Sequence, residues 1–282
     1  MALADFTIEQ LLTTGTQRLM LHHIDSARLD AELLLACATK LDRTALLAHG
    51  DQAVDAATAA VFFDLIAQRA RHIPVAYLTG HKAFYGRDFT VTSATLIPRP
   101  ESEVMIETLK QLYHPDQHHT LLDVGTGSGC LAITAQLELP DLKVTASDIS
   151  QEALPVAELN AGRYHVDNKI TFVNSNLFNN ITGHFDFILA NLPYLDYDRR
   201  ADYSPELAHE PNLALYTYDR GNCLMLELVA VARNYLTPHG YLIMEMETHQ
   251  LDQVAARATK SGLEVVSKAP FTLVLQRALN TS

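Results

Sequence analysis

The sequence is poor in the features that mark secreted, membrane and zinc-binding proteins. Its three cysteines, Cys37, Cys130 and Cys223, are far apart and odd in number, so they indicate neither a disulfide framework nor a zinc knuckle. No apolar run approaches the ~18–20 residues that span a bilayer. Residues 1–6 lack the basic region and long apolar core of a signal peptide. We therefore expect a cytoplasmic protein without a membrane partner.

Positive charge is also scarce. The 33 acidic residues exceed the 21 lysines and arginines, for a net charge of −12, and the basic residues form no cluster beyond pairs such as Arg199-Arg200. Proteins that hold long phosphate backbones usually present a basic face, so extended nucleic acid is disfavoured as a partner. A hydrophobic fraction of 48% is typical of a globular protein, and 282 residues allow one large or two ordinary domains.

The sequence contains 13 histidines but no recognisable metal motif. The pairs His22-His23 and His118-His119 consist of adjacent residues, whose side chains point apart, and neither has a third ligand at a useful spacing. No H-E-x-x-H motif is present. We predict solvated loop histidines and no metal site.

The first third of the chain has helical periodicity. Apolar residues recur at helical spacing in three runs: Ile8, Leu11 and Leu12; Leu29, Leu33, Leu34 and Cys37; Val61, Leu65 and Ile66. From Tyr77 to Pro100 the pattern changes to short β-like pieces around Gly80 and Gly86, and the prolines beside Arg99 forbid a helix there. We predict a helical domain at residues 1–85, a hairpin and linker at 86–100, and a larger domain at 101–282.

The larger domain alternates between strands and helices, which predicts a parallel, doubly wound α/β sheet. The predicted strands are Leu121–Val124, Lys143–Ser147, Ile170–Val173, Phe185–Ala190, Tyr241–Met246, Leu263–Val266 and Phe271–Gln276. The predicted helices are Ser102–Tyr113, Cys130–Leu139, Gln151–Ala161, Cys223–Tyr235 and Leu251–Ser261. No helix separates the last two strands, so we expect an antiparallel edge.

A glycine-rich turn links the first of these strands to its helix. The predicted nucleotide-binding residues of this turn are Asp123, Gly125, Thr126, Gly127, Ser128 and Gly129. Glycines let the backbone approach a ligand closely, and the helix N-terminus offers free N–H groups. Cys130 occupies the place of the third glycine in a dinucleotide fingerprint, and neither a phosphate-loop Lys nor a nucleophile elbow is present.

Polar residues follow the next two strands. Asp148 lies about 20 residues after the glycine turn, where a carboxylate can accept hydrogen bonds from ribose hydroxyls. The same residue could instead cap the helix that begins near Ser150. Asn176 and Leu177 follow the third strand, where an adenine could lie against an apolar side chain and meet one amide.

The fourth strand ends in Asn191-Leu192-Pro193-Tyr194. This turn places a carboxamide, a free backbone carbonyl and an aromatic ring at one strand end, where open α/β sheets bind their ligands. These groups suit the binding of a planar NH2 group by both hydrogens while a ring stacks on its face. A strand-terminating proline turn is the structural alternative.

In chain order, these motifs resemble those of class I S-adenosylmethionine-dependent methyltransferases, and more narrowly of the PrmC/HemK family. The likeness covers nearly the whole chain. The matching segments are Arg28–Leu34, Pro74–Gly80, Leu96–Glu101 and Glu210–Leu215, together with the motifs above. The resemblance implies a seven-stranded Rossmann-like methyltransferase domain, a small helical N-terminal domain that recognises the substrate, and a linking β-hairpin.

The resemblance also implies the reaction. The family methylates the side-chain amide of a glutamine in peptide-chain release factors, with S-adenosylmethionine as donor and S-adenosylhomocysteine as product. Asn191 and the backbone carbonyl of Leu192 would accept the two amide N–H bonds, Tyr194 would hold the amide plane, and Pro193 would lock the turn. Asn191 would also border the cofactor. We expect a monomer.

One position departs from the family pattern. The family usually has Asn-Pro-Pro-Tyr, whereas residue 192 here is leucine, the form more typical of ribosomal-RNA adenine dimethyltransferases. Two alternatives therefore stay open. One is an adenine amino-group methyltransferase acting on RNA or DNA, and the other is a non-catalytic S-adenosylmethionine-binding protein.

Overall fold

The computed structural model describes residues 6–115 and 119–278. They form two compact units, which divide between His81 and Lys82. The predicted boundary at residue 85 lies a few residues further along the chain. Each unit has a hydrophobic core of its own.

The first unit is helical, as its apolar periodicity predicts. Its elements are β1 (Phe6–Thr7), α1 (Ile8–Leu21), α2 (Ala27–Thr39), α3 (Arg43–Ala48), β2 (Ala53–Val54), α4 (Ala56–Arg69) and α5 (Val75–Thr79). Ile8, Leu11, Leu34 and Ile66 are buried in its core. Leu29 and Val61, which the periodicity assigned to the apolar faces, are instead exposed, because the buried residues of α2 and α4 lie on a different face of each helix.

The acidic residues of α2 hold this unit together. Asp30 is buried and forms an ion pair with Arg69 of α4 at 2.7 Å. Glu32, also buried, accepts from Arg28 at 2.7 Å and from Arg43 at 2.6 Å. Because a buried charge is tolerated only when it is paired, these residues fix how α2, α3 and α4 pack.

The second unit begins with a hairpin, β3 (His81–Phe84) and β4 (Arg87–Thr90), which turns at Tyr85 and Gly86. The prediction placed the hairpin at 86–100; its first strand begins earlier, and residues 91–99 contain no strand. Phe84 and Phe89 are fully buried and belong to a core of the second unit. The hairpin is thus an integral part of that unit.

The rest of the second unit alternates between strands and helices. The strands are β5 (Thr120–Val124), β6 (Lys143–Asp148), β7 (Ile170–Asn174), β8 (Phe185–Ala190), β9 (Leu195–Asp196), β10 (Tyr216–Thr217), β11 (Leu236–Glu245), β12 (Leu263–Ala269) and β13 (Thr272–Arg277). The α-helices are α6 (Glu103–Leu112), α7 (Cys130–Glu138), α8 (Ala153–Arg163), α9 (Asn212–Leu215), α10 (Cys223–Val231) and α11 (Leu251–Lys260). Two 3-10 helices, Tyr197–Asp202 and Pro205–His209, lie between β9 and α9.

The central sheet has seven strands in the order β12-β13-β11-β8-β5-β6-β7. Strands β11, β8, β5, β6 and β7 run parallel, and β13 pairs antiparallel with both β11 and β12. The predicted seven-stranded Rossmann-like fold with an antiparallel edge is confirmed. Successive strands extend from β5 to one side and then return at β8 on the other, which makes the carboxyl ends of β5 and β8 the switch point where such sheets bind ligands.

Helices cover both faces of the sheet. Alternate residues along each strand point to opposite faces, so Leu122 and Ile188 pack with α10 and α11, whereas Leu121 and Phe187 pack with α6 and α7. The prediction of a solvated His119 is wrong. Its ring is buried against Phe187 at a centroid distance of 5.4 Å, and its Nε2 lies 3.0 Å from the His114 carbonyl oxygen. His118 lies outside the described residues.

Candidate functional site

The strand registers bring the predicted site residues to one edge of the sheet. Val124 pairs with Ala190 on one side and with Ser147 on the other, and Ala190 also pairs with Met244. Because these strands are parallel, the residues that follow each pair are neighbours. They are Gly125, Asn191, Asp148 and Glu245.

The glycine turn is fixed by hydrogen bonds to the neighbouring strand. The backbone N–H groups of Gly125 and Thr126 donate to the Ser147 carbonyl at 2.8 and 2.9 Å. Gly125 has φ +77°, and a Cβ there would lie 3.1 Å from Cδ2 of Leu192. The absence of a side chain at residue 125 therefore lets the glycine turn pass close to the Asn191 turn.

Several predicted cofactor residues support this turn without lining a cavity. Thr126 donates its hydroxyl to Asp123 Oδ2 at 2.7 Å, and Asn160 donates to the Ser128 carbonyl at 2.9 Å. Asp123 Oδ1 has no hydrogen-bond partner among the described residues. Burial of Asp123 raises its pKa to about 7. Gly129 begins α7 with φ +80°, a left-handed conformation that suits glycine.

Asp148 does not cap α8, which begins at Ala153 without a side-chain cap. Its Oδ1 accepts from the Ser150 N–H at 2.8 Å, in the turn before that helix, and its Oδ2 accepts from the Gly127 N–H at 2.8 Å. The carboxylate also lines the cavity next to the glycine turn. Burial raises its pKa, and the backbone N–H bonds oppose that rise. The side chain is thus held rigidly at a cavity wall.

The segment after β7 contains a strained residue. Leu177 has φ +47°, which is unfavourable for a residue with a side chain. Ser175 holds it there, because the Ser175 hydroxyl donates to the Leu177 carbonyl at 3.0 Å and accepts from the Asn180 N–H at 3.0 Å. Such strain persists where the surrounding structure enforces it, often at ligand sites. Leu177 faces the same cavity as Asp148.

We call this cavity the donor cavity. Its walls include Gly125, Gly127, Asp148, Ile149, Ala153, Asn176, Leu177, Asn191, Leu192, Pro193 and Leu213. It therefore contains most of the predicted cofactor residues, although Asp123, Thr126, Ser128 and Gly129 lie outside its lining. Apolar walls with one carboxylate and two amide side chains suit an adenosine, whose base is planar and whose ribose carries two adjacent hydroxyls. The residues present therefore fit S-adenosylmethionine.

A second cavity shares lining residues with the donor cavity, and we call it the acceptor cavity. Its lining includes Leu96, Arg99, Glu101, Asn191, Tyr194, Glu206, Glu210 and Glu247. Asn191 lines both cavities, together with Leu96 and Ala214. The two cavities are therefore adjacent, and the Asn191 turn borders both.

A buried network anchors the Asn191 turn. The Asn191 Nδ2 donates to Ser102 Oγ at 2.9 Å, and Ser102 in turn donates to Glu245 Oε2 at 2.5 Å. The Tyr194 hydroxyl donates to Glu245 Oε1 at 3.1 Å. Burial raises the pKa of Glu245, and burial together with the Glu245 charge raises the pKa of the Tyr194 phenol. Sequence reasoning missed Ser102 and Glu245, although an acid at the end of an apolar strand was a visible signal.

An ion pair joins two segments that resemble the family. Arg99 Nη2 donates to Glu210 Oε1 at 2.5 Å, and the Ile97 N–H donates to Glu210 Oε2 at 3.0 Å. Glu210 is only 5% exposed. The carboxylate therefore fastens the Leu96–Glu101 segment to the Glu210–Leu215 segment, and both segments line the cavities.

The described part of the chain contains neither a membrane-spanning helix nor a metal-binding cluster. In residues 6–115 and 119–278, no helix is both long enough and apolar enough to cross a membrane. The same part of the chain holds no group of three His, Cys, Asp or Glu side chains placed to bind a metal ion.

Known proteins resemble both units. A family model described as the PrmC N-terminal domain matches residues 10–80, and one described as the methyltransferase small domain matches residues 99–209. The release factor glutamine methyltransferase of Deinococcus radiodurans is 35% identical over 265 residues, which cover 94% of this chain and 95% of that protein. The bifunctional methyltransferase of Rickettsia conorii is 32% identical over 287 residues, and the match spans 93% of this chain but 55% of that longer protein.

Solved structures agree on the fold. A methyltransferase from Pyrococcus furiosus superposes with a TM-score of 0.52 at 21% identity, covering 76% of this chain and 99% of that one. The sheet order, the two cavities at its switch point and a relative matched along nearly its whole length lead to the same conclusion. This chain belongs to the release factor glutamine methyltransferase family.

Proposed function

We propose that this enzyme transfers a methyl group from S-adenosylmethionine to the side-chain amide nitrogen of a glutamine in a peptide-chain release factor. The observation that carries the proposal is the position of Asn191, which lines both the donor and the acceptor cavity. A group bound there meets the methyl donor on one side and the rest of its own chain on the other. Membership of the family supports the same substrate class.

The donor cavity supplies the groups that we assign to the cofactor. Asp148 would accept from the ribose hydroxyls, Leu177 would cover the adenine, and Asn176 would meet its edge. Gly125 and Gly127 would bring the backbone close to the remainder of the molecule. S-adenosylmethionine, when bound, supplies a methyl group on a sulfonium, and the cofactor leaves as S-adenosylhomocysteine.

The Asn191 turn activates the acceptor by hydrogen bonding. An amide nitrogen is a poor nucleophile because its lone pair is delocalised into the carbonyl. If Asn191 Oδ1 and the Leu192 carbonyl accept its two N–H bonds, electron density is held on nitrogen and the nitrogen is aimed at the methyl group. Tyr194 would hold the amide plane, and Pro193 would stiffen the turn. Alignment and fixed dipoles then supply the rate enhancement. As the N–CH3 bond forms and the S–CH3 bond breaks, the methylated nitrogen loses one proton to water, which gives the neutral N-methyl amide.

The charge of the acceptor cavity supports a protein substrate over a nucleic acid. Glu101, Glu206, Glu210 and Glu247 line it, and its one lining cation, Arg99, is already paired with Glu210. A phosphodiester backbone would bring further negative charge to these carboxylates. A peptide meets no such repulsion. This observation disfavours adenine methylation in RNA or DNA.

We further propose that the first unit recognises the release factor. It has no part in either cavity, since the lining residues of both lie within residues 82–282. A fragment that starts at Lys82 should bind S-adenosylhomocysteine as the whole chain does and lose most activity on a release factor. Full activity in that fragment would contradict the assignment. Because one chain builds both cavities, we propose a monomer, acting in the cytoplasm where release factors work.

The test offers the wild-type enzyme an intact release factor and deproteinised ribosomal RNA with labelled S-adenosylmethionine. Mass spectrometry should find the methyl group on a glutamine, and label in adenine without label in glutamine would overturn the proposal. Asn191→Ala should lower kcat roughly hundredfold or more, because it removes a contact used mainly in the transition state. Asn179→Ala, at an exposed asparagine of the same unit, is the matched control.

A further inference from the structure

The orientation of the Asn191 amide decides whether the proposed reaction can occur. A primary amide has an acceptor oxygen at one end and a donor NH2 at the other. Only the oxygen can accept an N–H bond from a substrate amide, and a rotation by about 180° would present the wrong end. Something in the protein must therefore select one of two nearly isosteric arrangements.

The buried network makes this selection through a chain of single-direction hydrogen bonds. A carboxylate can only accept hydrogen bonds, so the Ser102 hydroxyl donates its single hydrogen bond to Glu245 Oε2, at 2.5 Å. Ser102 Oγ can then only accept, and it receives the Asn191 Nδ2 at 2.9 Å. This contact holds the NH2 end of Asn191 against Ser102, whose own hydroxyl is turned to Glu245.

We propose that Ser102 and Glu245 are positioning residues that hold Asn191 with its Oδ1 turned towards the substrate amide. The inference rests on the proposed function, and it names the groups that decide which end of the Asn191 amide faces the substrate. Glu245 also accepts from Tyr194 at 3.1 Å, so one carboxylate orients both polar side chains of the turn.

A purely structural role does not account for Glu245. The residue is 1% exposed at the end of β11, in a strand whose preceding residues, Leu242, Ile243 and Met244, are apolar and fully buried. Burying a carboxylate carries a large desolvation penalty, and an apolar side chain of similar volume would usually pack as well or better. The hydrogen bonds of Glu245 instead converge on two residues of the catalytic turn, directly or through Ser102.

The first test compares Ser102→Ala with Ser102→Thr. Alanine removes the acceptor for Asn191 Nδ2, so kcat for release factor methylation should fall roughly tenfold to hundredfold, the range seen when outer hydrogen-bond partners of reactive groups are removed. Threonine keeps the hydroxyl and should restore most of the rate. The KM for the release factor and the affinity for S-adenosylhomocysteine should stay within about twofold in both variants. Ser267→Ala, at an exposed serine of β12, is the control.

The second test reverses the direction of the hydrogen bonds that link residue 245, Ser102 and Asn191. In Glu245→Gln the new side-chain NH2 can donate to Ser102, whose hydroxyl is then free to donate to Asn191 Oδ1 and turn the amide round. We expect kcat to fall at least as far as in Ser102→Ala, with cofactor affinity retained. Glu264→Gln, at an exposed glutamate, controls for the loss of charge.

A double-mutant cycle separates positioning from general damage. If Ser102 acts through Asn191, Ser102→Ala should lower kcat by no more than about twofold in an Asn191→Ala background. Additive losses, or wild-type kcat in Ser102→Ala or Glu245→Gln, would overturn the inference. Should Ser102→Ala fail to fold, as judged by thermal denaturation, Ser102→Cys tests the same bond with a poorly hydrogen-bonding thiol.

The substrate that the wild-type enzyme methylates tests the proposed function separately from the positioning role of Ser102 and Glu245. If the wild type methylates adenine and not glutamine, the proposed function fails first. If the wild type methylates glutamine and the variants keep full activity, only the positioning role fails.

Discussion

Asp148 offers the sharpest test of the donor cavity, because one carboxylate makes observed structural hydrogen bonds and also carries the proposed ribose contacts. Its two oxygens accept from the N–H groups of Gly127 and Ser150, each at 2.8 Å, and the side chain is 9% exposed. Asp148→Ala removes both interactions together with the proposed ribose contacts. Two separate quantities should therefore change, the affinity for the cofactor and the free energy of unfolding.

The expected magnitude follows from these contacts. A hydrogen bond to a charged group is worth about 1.5–3 kcal/mol, so losing the ribose contacts should weaken S-adenosylhomocysteine binding by roughly 1–3 kcal/mol, or about fivefold to 150-fold. The two N–H groups lie at a cavity wall, where water can replace the carboxylate, so we expect a stability loss of about 1–2 kcal/mol. Asp148→Asn keeps one acceptor oxygen and should lie between wild type and Asp148→Ala in both measurements.

Isothermal titration calorimetry with S-adenosylhomocysteine measures the affinity, and urea unfolding of the cofactor-free protein measures the stability. Asn179→Ala, outside both cavities, is the control. Unchanged affinity in a folded Asp148→Ala protein would refute the ribose assignment. Tight binding of NAD by the wild type would refute the choice of cofactor.

Three further predictions concern charge and backbone geometry. Burial raises the pKa of Asp123 from its ordinary value of 3.8 to about 7, so the fold favours the protonated form. Stability should therefore fall as the pH rises between these values, by up to about 4 kcal/mol, and urea unfolding should show a smaller fall in Asp123→Asn. Gly129→Ala would place a Cβ 3.3 Å from the Ala157 Cα, a backbone atom, at φ +80°, and should lower the free energy of unfolding by roughly 2–4 kcal/mol. Gly183→Ala is its control, because φ is +89° there but no atom lies within 4 Å, and an equal loss in both would contradict the clash. Glu210→Ala removes the carboxylate that pairs with Arg99 and should destabilise the protein by about 2–4 kcal/mol, measured as a lower Tm. An unchanged Tm would show that this ion pair does not hold the Leu96–Glu101 and Glu210–Leu215 segments together.

The sequence was most informative where a single strand and its following turn sufficed. Gly125 and Asn191 directly follow apolar strands and Asp148 ends the strand beside β5, and parallel strands in a doubly wound sheet bring such residues to one edge. The donor cavity could therefore be anticipated from local pattern and topology alone. Asp148 was harder, because the choice between capping and binding depends on the atoms around the carboxylate.

Other features depended on tertiary contacts that no local pattern records. Ser102 and Glu245 are 143 residues apart in sequence. The pairing of β11 with β8 places Glu245 beside the end of β8, whereas Ser102 comes from the turn that precedes α6. The hairpin was misplaced because its turn is Tyr85-Gly86, in which Tyr85 adopts φ +50°. Two-residue hairpin turns with both residues at positive φ favour Asn-Gly or Asp-Gly, so tyrosine gave no turn signal there. His119 was misjudged because polar neighbours in sequence concealed an aromatic environment in space.

Leucine at residue 192 makes the rigidity of the Asn191 turn depend on temperature in a way that a proline at the same position would not. A proline stiffens a chain by limiting its conformations before folding, an effect that persists in the cold. Leu192 is instead held by burial of its side chain, which is 6% exposed within the core beneath α10 and α11. Hydrophobic burial weakens on cooling. The Asn191 turn of this enzyme therefore depends on hydrophobic burial, which weakens at low temperature. On cooling, the kcat of the wild-type enzyme should fall more steeply than the kcat of Leu192→Pro.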